Sequence, residues 1–369
     1  MMKLPYQVIP INVPNEGQLF VDHKSQGRSG HLGHALAEYA PGSILAFYSN
    51  CSDKRNRGHN GFGWMEYRRS NDYGKSWSEP KNLDYSYKSF LDGIYTISCE
   101  KAVVPEEGHI VLFCLRNSAN AIGWEPWLEP TVLHSKDGGL SWSEPIAFSD
   151  APGRIYDAKY KDGCIYVLEF CNDAKVSFVG NDPCHVYRLY VSLDGGYSFQ
   201  IRSELPLDTQ GRGYGAIEWL PDGRLIAYVY NINDEYNLDC CISDDGGHTW
   251  SELIHSYCAK RIRNPQVVKY KDLYFLHGRS GCVDRSLPSD FVLYHSKDGL
   301  NWDDGILLRK TPSSGDGGSD SLKPSGASSY YSNNLVTGRF GGPQRLLIQG
   351  SDAYEMARTN IRHWWIETL

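Results

Sequence analysis

The sequence predicts an all-β fold, a six-bladed β-propeller with four antiparallel strands in each blade. Three observations predict it. A short motif, Ser-x-Asp-x-Gly-x-x-Trp, returns along the chain at near-regular spacing, β-rich segments with tight turns fill the intervals, and no long segment has helical periodicity. The length of 369 residues would suit two ordinary domains, but no linker interrupts the pattern. We therefore expect one domain, residues 1–369.

Each copy of the motif is predicted to form a hairpin turn. A short Asp side chain accepts hydrogen bonds from nearby backbone N–H groups, and Gly adopts the positive φ that a chain reversal needs. The terminal aromatic residue then starts the next strand and packs inward. We assign the motif aspartates to these turns and not to catalysis. The copies begin at Ser70, Ser135, Ser192, Ser243 and Ser296, with Phe replacing Trp in the third copy and the fifth copy one residue shorter.

The intervals between motifs predict the remaining strands. Each holds a strand, a tight turn and a second strand, all rich in Val, Ile, Tyr and Phe. A third strand runs into each motif and a fourth leaves it. Five such units and a sixth without the motif, 331–369, give six blades, and segment 7–13 is expected to add the strand that closes the ring. The clearest strand pairs are 35–38 with 43–48, 101–105 with 109–115, 216–220 with 224–230, and 266–270 with 273–277.

Composition narrows the class of partner. With 37 basic and 44 acidic side chains the formal charge is −7, which argues against nucleic acid or an anionic membrane as the main partner. No apolar run reaches the roughly 20 residues that span a bilayer, and the amino terminus lacks the apolar core of a signal peptide. Ten scattered cysteines without a C-x-x-C pair predict reduced thiols. We expect a cytoplasmic monomer or weak homo-oligomer without a cofactor.

The candidate site lies where the inner strands of a propeller converge on its axis. Residues that open each first strand or end each second strand are rich in Arg, His, Tyr and carboxylates, as the binding of a charged sugar requires. A long polar loop, 53–60, adds two more candidates, Asp53 and His59. No metal is predicted, and zinc bound by His31, His34 and His59 is the less favoured alternative. The strand-end candidates are Arg28, His31, His34, Glu100, Arg116, Asp157, Tyr214, Glu218, Arg263, Arg279, Tyr330 and Tyr331.

The motifs resemble the Asp-box (BNR) repeats of the sialidase superfamily, whose fold is a six-bladed β-propeller. The resemblance implies three arginines on a substrate carboxylate, an aspartic acid as general acid/base, and a tyrosine nucleophile assisted by a glutamate. Arg116 and Arg279 fall where that family places carboxylate-binding arginines, and Tyr331 matches its late tyrosine. The first arginine is replaced by histidine here, within Gly30-His31-Leu32-Gly33-His34.

These observations predict a glycoside hydrolase that acts on an acidic sugar of the sialic acid or uronate type. Asp53 or His59 would supply the acid, and Tyr331 would trap the oxocarbenium-like centre with help from Glu100 or Glu218. His34 is a further catalytic candidate. The substrate would be bound by Arg28, His31, Arg116, Asp157, Tyr214, Arg263, Arg279 and Tyr330.

Two alternatives stay open. A uronate lyase would use His31, His34 and Tyr331 for β-elimination, with Arg116 or Arg279 on the carboxylate. A propeller that binds glycans without catalysis is the third hypothesis.

Overall fold

Six antiparallel sheets surround a common axis and form a six-bladed β-propeller, as predicted. The innermost strand of each sheet contacts that of the next, and the sixth contacts the first. The computed structural model describes residues 3–9, 17–30, 33–52, 62–119, 127–175, 185–281, 289–311, 330–352 and 358–369.

The strands follow the chain order from the axis outward in blades two to five. Two strands precede the first blade: β1 (Tyr6–Ile9) and β2 (Gln18–Val21). The first blade holds β3 (Arg28–Ser29), β4 (His34–Ala40), β5 (Ser43–Ser52), β6 (Gly63–Ser70) and β7 (Lys81–Asn82). The second holds β8 (Tyr95–Val103), β9 (Ile110–Ser118), β10 (Thr131–Ser135) and β11 (Ile146–Ala147). The third holds β12 (Gly153–Lys161), β13 (Cys164–Cys171), β14 (Val186–Ser192) and β15 (Gln200–Glu204).

The last three blades continue the same pattern. The fourth holds β16 (Arg212–Trp219), β17 (Leu225–Asn231), β18 (Asn237–Ser243) and β19 (Ile254–Tyr257). The fifth holds β20 (Arg263–Tyr270), β21 (Leu273–Arg279), β22 (Phe291–Ser296) and β23 (Ile306–Arg309). The sixth holds β24 (Ser332–Val336), β25 (Leu346–Ser351) and β26 (Ile361–Thr368).

The amino-terminal segment closes the ring. Strand β1 pairs antiparallel with β26, with Tyr6 opposite Thr368, and β2 pairs with the same strand. The prediction of an amino-terminal closing strand is therefore confirmed: β1 covers 7–9 of the expected 7–13 and begins one residue earlier, and the rest of that range lies outside the described residues. Closure joins the two ends of the chain in one sheet.

The repeated motifs form the turns that the sequence predicts. In the second copy, Asp137 Oδ1 accepts hydrogen bonds from the backbone N–H groups of Leu140 and Ser141, at 3.0 and 2.9 Å. The Ser141 hydroxyl and backbone N–H hold the pKa of this carboxyl down at about 2. The same pair of backbone bonds is present at Asp72, Asp194, Asp245 and Asp298.

Aliphatic and aromatic side chains fill the space between neighbouring blades. Leu45 and Phe47 of the first blade, for example, pack against Ile110 and Leu112 of the second. The eight described cysteines are free thiols, and all but Cys164 are buried. Such packing makes each blade depend on its neighbours for burial.

One short helix, α1 (Asp84–Leu91), connects the first and second blades, and the sequence analysis did not predict it. Its eight residues are too few to show helical periodicity. Ser86 fixes the helix between the blades, because its hydroxyl accepts a hydrogen bond from Met65 N and donates one to Ile97 O. None of the helices in the described ranges is long and apolar enough to span a bilayer.

Candidate active site

The inner strands β8, β12, β16 and β20 each carry a β-bulge. In β8, Cys99 and Lys101 oppose the adjacent residues Cys114 and Phe113, so Glu100 is the extra residue. The bulges in β12, β16 and β20 likewise insert one residue. A bulge changes the direction of the side chain that it carries. The side chains at these four bulges, those of Glu100, Tyr156, Tyr214 and Asn264, line one cavity on the axis.

This hub cavity has a volume of about 40 Å³ and receives residues from all six blades. A space of that size holds a small polar group or a few water molecules. It is therefore the floor of a site and does not enclose a sugar ring. Its lining consists of Gly33, His34, Glu100, Arg154, Tyr156, Tyr214, Asn264, Gln266, Tyr331 and Ser332.

A directed chain of hydrogen bonds crosses the hub cavity. Arg154 forms a bidentate pair with Glu100, from Nε to Oε2 at 2.9 Å and from Nη2 to Oε1 at 3.2 Å. The third nitrogen, Nη1, donates to Tyr214 OH at 2.9 Å. Tyr214 OH in turn donates to Tyr331 OH over a longer 3.5 Å. The guanidinium charge is thus relayed through one phenol to the oxygen of Tyr331.

Burial and charge set the protonation of this chain. Burial raises the pKa of Tyr214 well above its ordinary value, although the Arg154 charge opposes the shift. Burial alone would lower the pKa of Arg154, but Glu100, Tyr214 and Tyr156 together outweigh it and the pKa is raised. At neutral pH Arg154 is therefore cationic and Tyr214 keeps its proton to donate.

Several buried polar atoms in the cavity have no hydrogen-bond partner among the described residues. They are both side-chain amide atoms of Asn264 and the hydroxyl of Tyr156. Asn264 has a positive φ of 54°, a conformation that Asn tolerates better than most residues. Because buried polar groups normally find partners, these atoms mark places where a ligand or water can bind.

Beside the hub cavity lies an arginine cluster, Arg261, Arg263 and Arg279. Glu235 carboxylate oxygens lie 3.5 Å from Arg261 Nη1 and 4.0 Å from Arg263 Nη1. The Arg263 guanidinium lies 4.9 Å from the ring centre of Tyr230, whose ring packs against that of Tyr214. The cluster therefore adjoins the cavity through two tyrosine rings.

Arg279 is the member of the cluster with open binding capacity. It pairs with Arg263 across β20 and β21, and only 1% of it is exposed. No residue in the described part of the chain accepts a hydrogen bond from its Nε or Nη1. A buried guanidinium without a counter-ion is costly, so this position suits an anionic ligand.

Four of the predicted site residues line the hub cavity: His34, Glu100, Tyr214 and Tyr331. Arg263 and Arg279 belong to the adjacent cluster. His31, Asp53 and His59 lie outside the described residues, as does any zinc site that would need them. Within the described ranges no group of three or more His, Cys, Asp or Glu residues could hold a metal ion.

Three predicted substrate-binding residues have other partners, away from the cavity lining. Arg28 donates to Asn50 from Nε at 2.6 Å. Arg116 pairs with Glu129 at 2.8 Å. Tyr330 stacks on Phe291, with ring centres 5.3 Å apart.

Asp157 and Glu218 do not line the hub cavity. Their carboxylates bind residues of neighbouring blades. Both oxygens of Asp157 are used, because Oδ1 accepts from Lys101 and Ala158 N while Oδ2 accepts from Ile217 N. Glu218 pairs with Lys159 at 3.1 Å. These contacts favour a role in blade assembly over contact with substrate.

Sequence reasoning missed Arg154, which occupies the centre of the network. The site residue predicted for the third blade, Asp157, comes three residues after Arg154, although β12 begins at Gly153. The signal was present as Pro152-Gly153, a turn followed directly by Arg154. Aligning the blades from their turns would have placed Arg154 at the axis.

Comparisons with known proteins identify the fold. No family model matches the sequence, and no curated protein matches it. A protein of unknown function from Dyadobacter fermentans matches with a TM-score of 0.71 and 15% identity over 100% of both chains. The Hadza microbial sialidase Hz136 matches with a TM-score of 0.69 and 14% identity, over 96% of this chain and 68% of that one.

An α-L-arabinanase from Penicillium chrysogenum, solved with arabinobiose, matches with a TM-score of 0.58 and 12% identity over 100% of this chain and 99% of that one. At such identities the likeness shows the fold alone. The chain has the six-bladed β-propeller fold of sialidase-like proteins.

Proposed function

We propose that this protein is a glycoside hydrolase that acts on an acidic sugar of the sialic acid or uronate type. The observation that carries the proposal is the hydrogen-bond chain from Arg154 through Tyr214 to the Tyr331 oxygen in the hub cavity. Glycosidase neighbours of the same fold support it.

In this mechanism Tyr331 attacks the anomeric carbon. Its oxygen forms the new bond to carbon while the bond to the leaving oxygen breaks, and an acid protonates that oxygen. Water later hydrolyses the tyrosyl intermediate. Donation from Tyr214 stabilises the negative charge that builds on the Tyr331 oxygen before attack. Glu100, on the same cavity, is the candidate base, and Asp53 and His59 remain candidate acids.

The arginine cluster would take the carboxylate of the substrate. Arg279 offers two buried N–H groups that no described residue uses, and a guanidinium fork fits a carboxylate bidentately. A tyrosine nucleophile suits a substrate whose reacting centre is close to its own carboxylate, because a carboxylate nucleophile would be repelled.

A second function, β-elimination from a uronate, is favoured by one observation. His34 and Tyr331 line the same cavity, and elimination needs an acid and a base on one substrate.

One assay separates the candidates. The protein is incubated with sialylated and uronate-containing oligosaccharides, and with neutral arabino-oligosaccharides as the control, while absorbance of unsaturated uronate and release of reducing ends are both recorded. Reducing ends without new absorbance, from the acidic substrates only, support the proposal. New absorbance supports elimination, and cleavage of the neutral substrate alone overturns the acidic-sugar assignment. Binding without any product supports a non-catalytic propeller.

A further inference from the structure

We infer that Gln349 is a positioning residue that fixes the tautomer of His34, so that His34 presents an N–H and not a lone pair to the hub cavity. The tautomer follows from contacts between the first and sixth blades. Its consequence for catalysis rests on the function proposed above.

The orientation of the Gln349 amide is set by a backbone carbonyl. Gln349 Nε2 lies 2.7 Å from Phe47 O, an atom that can only accept. The reversed amide would place two acceptor oxygens in contact. The NH₂ group therefore faces Phe47 O, and the carbonyl Oε1 faces the other way, 2.8 Å from His363 Nε2.

This orientation decides which nitrogen of His34 carries the proton. The same Gln349 Nε2 lies 3.1 Å from His34 Nδ1, so its second N–H points to that ring nitrogen. Nδ1 must then be the acceptor, and a neutral imidazole has its proton on the other nitrogen, Nε2. If Nδ1 carried the proton, its N–H would face the N–H of Gln349, and no acceptor would lie between the two nitrogens.

The hydrogen bonds run from His34 through Gln349 to His363, and the His363 end is fixed as well. Gln349 and His363 oppose each other across β25 and β26, and both are almost fully buried. The His363 ring stacks on Phe20 with centres 3.8 Å apart. Burial, reinforced by the nearby His34, lowers the pKa of His363 to about 3, so it stays neutral and donates from Nε2 to Gln349. The Gln349 amide cannot rotate by 180° without losing its hydrogen bonds to Phe47 O and His363 Nε2.

The arrangement has a chemical consequence. In the Nε2–H tautomer His34 donates a hydrogen bond to an oxygen of the substrate, as a site that stabilises a departing glycosidic oxygen requires. It cannot accept the proton that elimination removes, because its basic nitrogen is turned to Gln349. In a lyase reaction the base would have to be another group.

The tautomer is tested without substrate, by long-range ¹H–¹⁵N spectra of the protein labelled with ¹⁵N-histidine at neutral pH. His34→Gln identifies the signals of His34. We expect the chemical shift of a protonated nitrogen at Nε2 and of an unprotonated one at Nδ1. A protonated Nδ1 in the unmodified protein overturns the inference.

A variant then tests the role of Gln349. Gln349→Glu keeps the shape but removes both N–H donors, so the proton of His34 should move to Nδ1, and turnover of an acidic glycoside should fall about 100-fold. Gln200→Glu, a matched change at an exposed position on β15, should alter neither. An unchanged tautomer in Gln349→Glu overturns the inference.

If Gln349→Glu does not fold, Gln349→Met serves, and a mixture of both tautomers is expected. An unmixed Nε2–H form in that variant contradicts the role of Gln349. Because the spectra need no substrate, inactivity on every acidic glycoside would overturn the proposed function and leave the tautomer result standing.

Discussion

Lys101 and Asp157 form a buried ion pair on the propeller axis, with Lys101 Nζ 3.0 Å from Asp157 Oδ1. The same ammonium donates to Gln266 Oε1 at 2.5 Å and to Asn333 Oδ1 at 2.8 Å. One cation of the second blade is thus bonded to the third, fifth and sixth. We call these four residues the hub floor, which adjoins the hub cavity because Gln266 also lines that cavity.

The hub floor also reaches the two remaining blades. Asp157 Oδ2 accepts from Ile217 N of the fourth blade at 2.9 Å, and Asn333 Nδ2 donates to His34 O of the first at 2.6 Å. Below it lies a second cavity of about 260 Å³ with Lys101, Asp157 and Asn333 in its wall. Burial lowers the pKa of the Lys101 ammonium, and the charge of Asp157 opposes that shift.

Removing this cation should destabilise the whole propeller. Lys101→Met leaves Asp157 as a buried charge without its counter-ion, and we expect a loss of about 3–5 kcal/mol in the free energy of unfolding. Urea unfolding followed by circular dichroism measures it. Lys75→Met, at an exposed position, is the control and should change stability little.

The double variant Lys101→Met/Asp157→Asn should recover part of that loss, because no unpaired charge is then buried. A single variant as stable as the unmodified protein would mean that the ion pair does not hold the blades together.

Tyr331 should be required for turnover and not for folding. Tyr331→Phe removes the oxygen that accepts from Tyr214 and leaves the ring in place. We expect turnover to vanish, with the melting temperature nearly unchanged, measured by steady-state kinetics and calorimetry on one preparation.

Tyr330→Phe is the matched control, since Tyr330 precedes Tyr331 in the chain but contacts Phe291 and Thr311 instead of the cavity. It should keep its activity. An active Tyr331→Phe enzyme would remove Tyr331 from the mechanism.

The features that the sequence predicts well are those fixed by local residue patterns. The turn at Asp137, for example, is formed by hydrogen bonds among the residues from Ser135 to Ser141 alone, so its motif can be recognised in the sequence without tertiary information. Five such turns and one unit without the motif predict six blades, and the β-rich segment near Tyr6 predicts the closing strand.

The site itself depends on contacts between distant segments. The extra residue at Glu100 is visible only once β8 is paired with β9, and its partner Arg154 comes from another blade. Asp157 and Glu218 look like site residues in the sequence, yet lysines of neighbouring strands use their carboxylates. The position of a residue along an inner strand therefore predicts that its side chain faces the axis. It does not predict whether that side chain lies at the hub cavity or elsewhere along the axis.

Arg279 should determine the preference for acidic substrates. Arg279→Met removes the charge while filling much of the space, and we expect KM for an acidic glycoside to rise at least tenfold with little change for a neutral one. The reason is that the buried N–H groups of Arg279 are open to a carboxylate.

Initial rates on a matched pair of aryl glycosides, one uronic acid and its neutral hexose counterpart, measure the effect. Arg188→Met is the control, because Arg188 pairs with Asp173 and Glu204 in the third blade. Equal losses on both substrates would show that Arg279 does not bind the carboxylate.

Glu169 should make the protein less stable as the pH rises. Its side chain is fully buried on β13, and a bond of 3.2 Å from Ser149 Oγ reaches Oε1, while Oε2 has no partner in the described ranges. Burial raises the pKa of Glu169 from an ordinary 4.5 to about 8. Between those values the folded protein holds a proton that the unfolded chain has released.

The stability that Glu169 contributes is therefore complete below about pH 4.5 and is lost as the pH rises through about 8. Between those two pH values this one group lowers the free energy of unfolding by about 1.4 kcal/mol per pH unit. The free energy of unfolding is measured with urea between pH 5 and 9. Relative to the unmodified protein, Glu169→Gln should become more stable as the pH rises. Glu79→Gln, a control at an exposed position, should differ from the unmodified protein by the same amount at every pH. Parallel curves for Glu169→Gln and the unmodified protein would mean that Glu169 is ionised in the folded state at neutral pH.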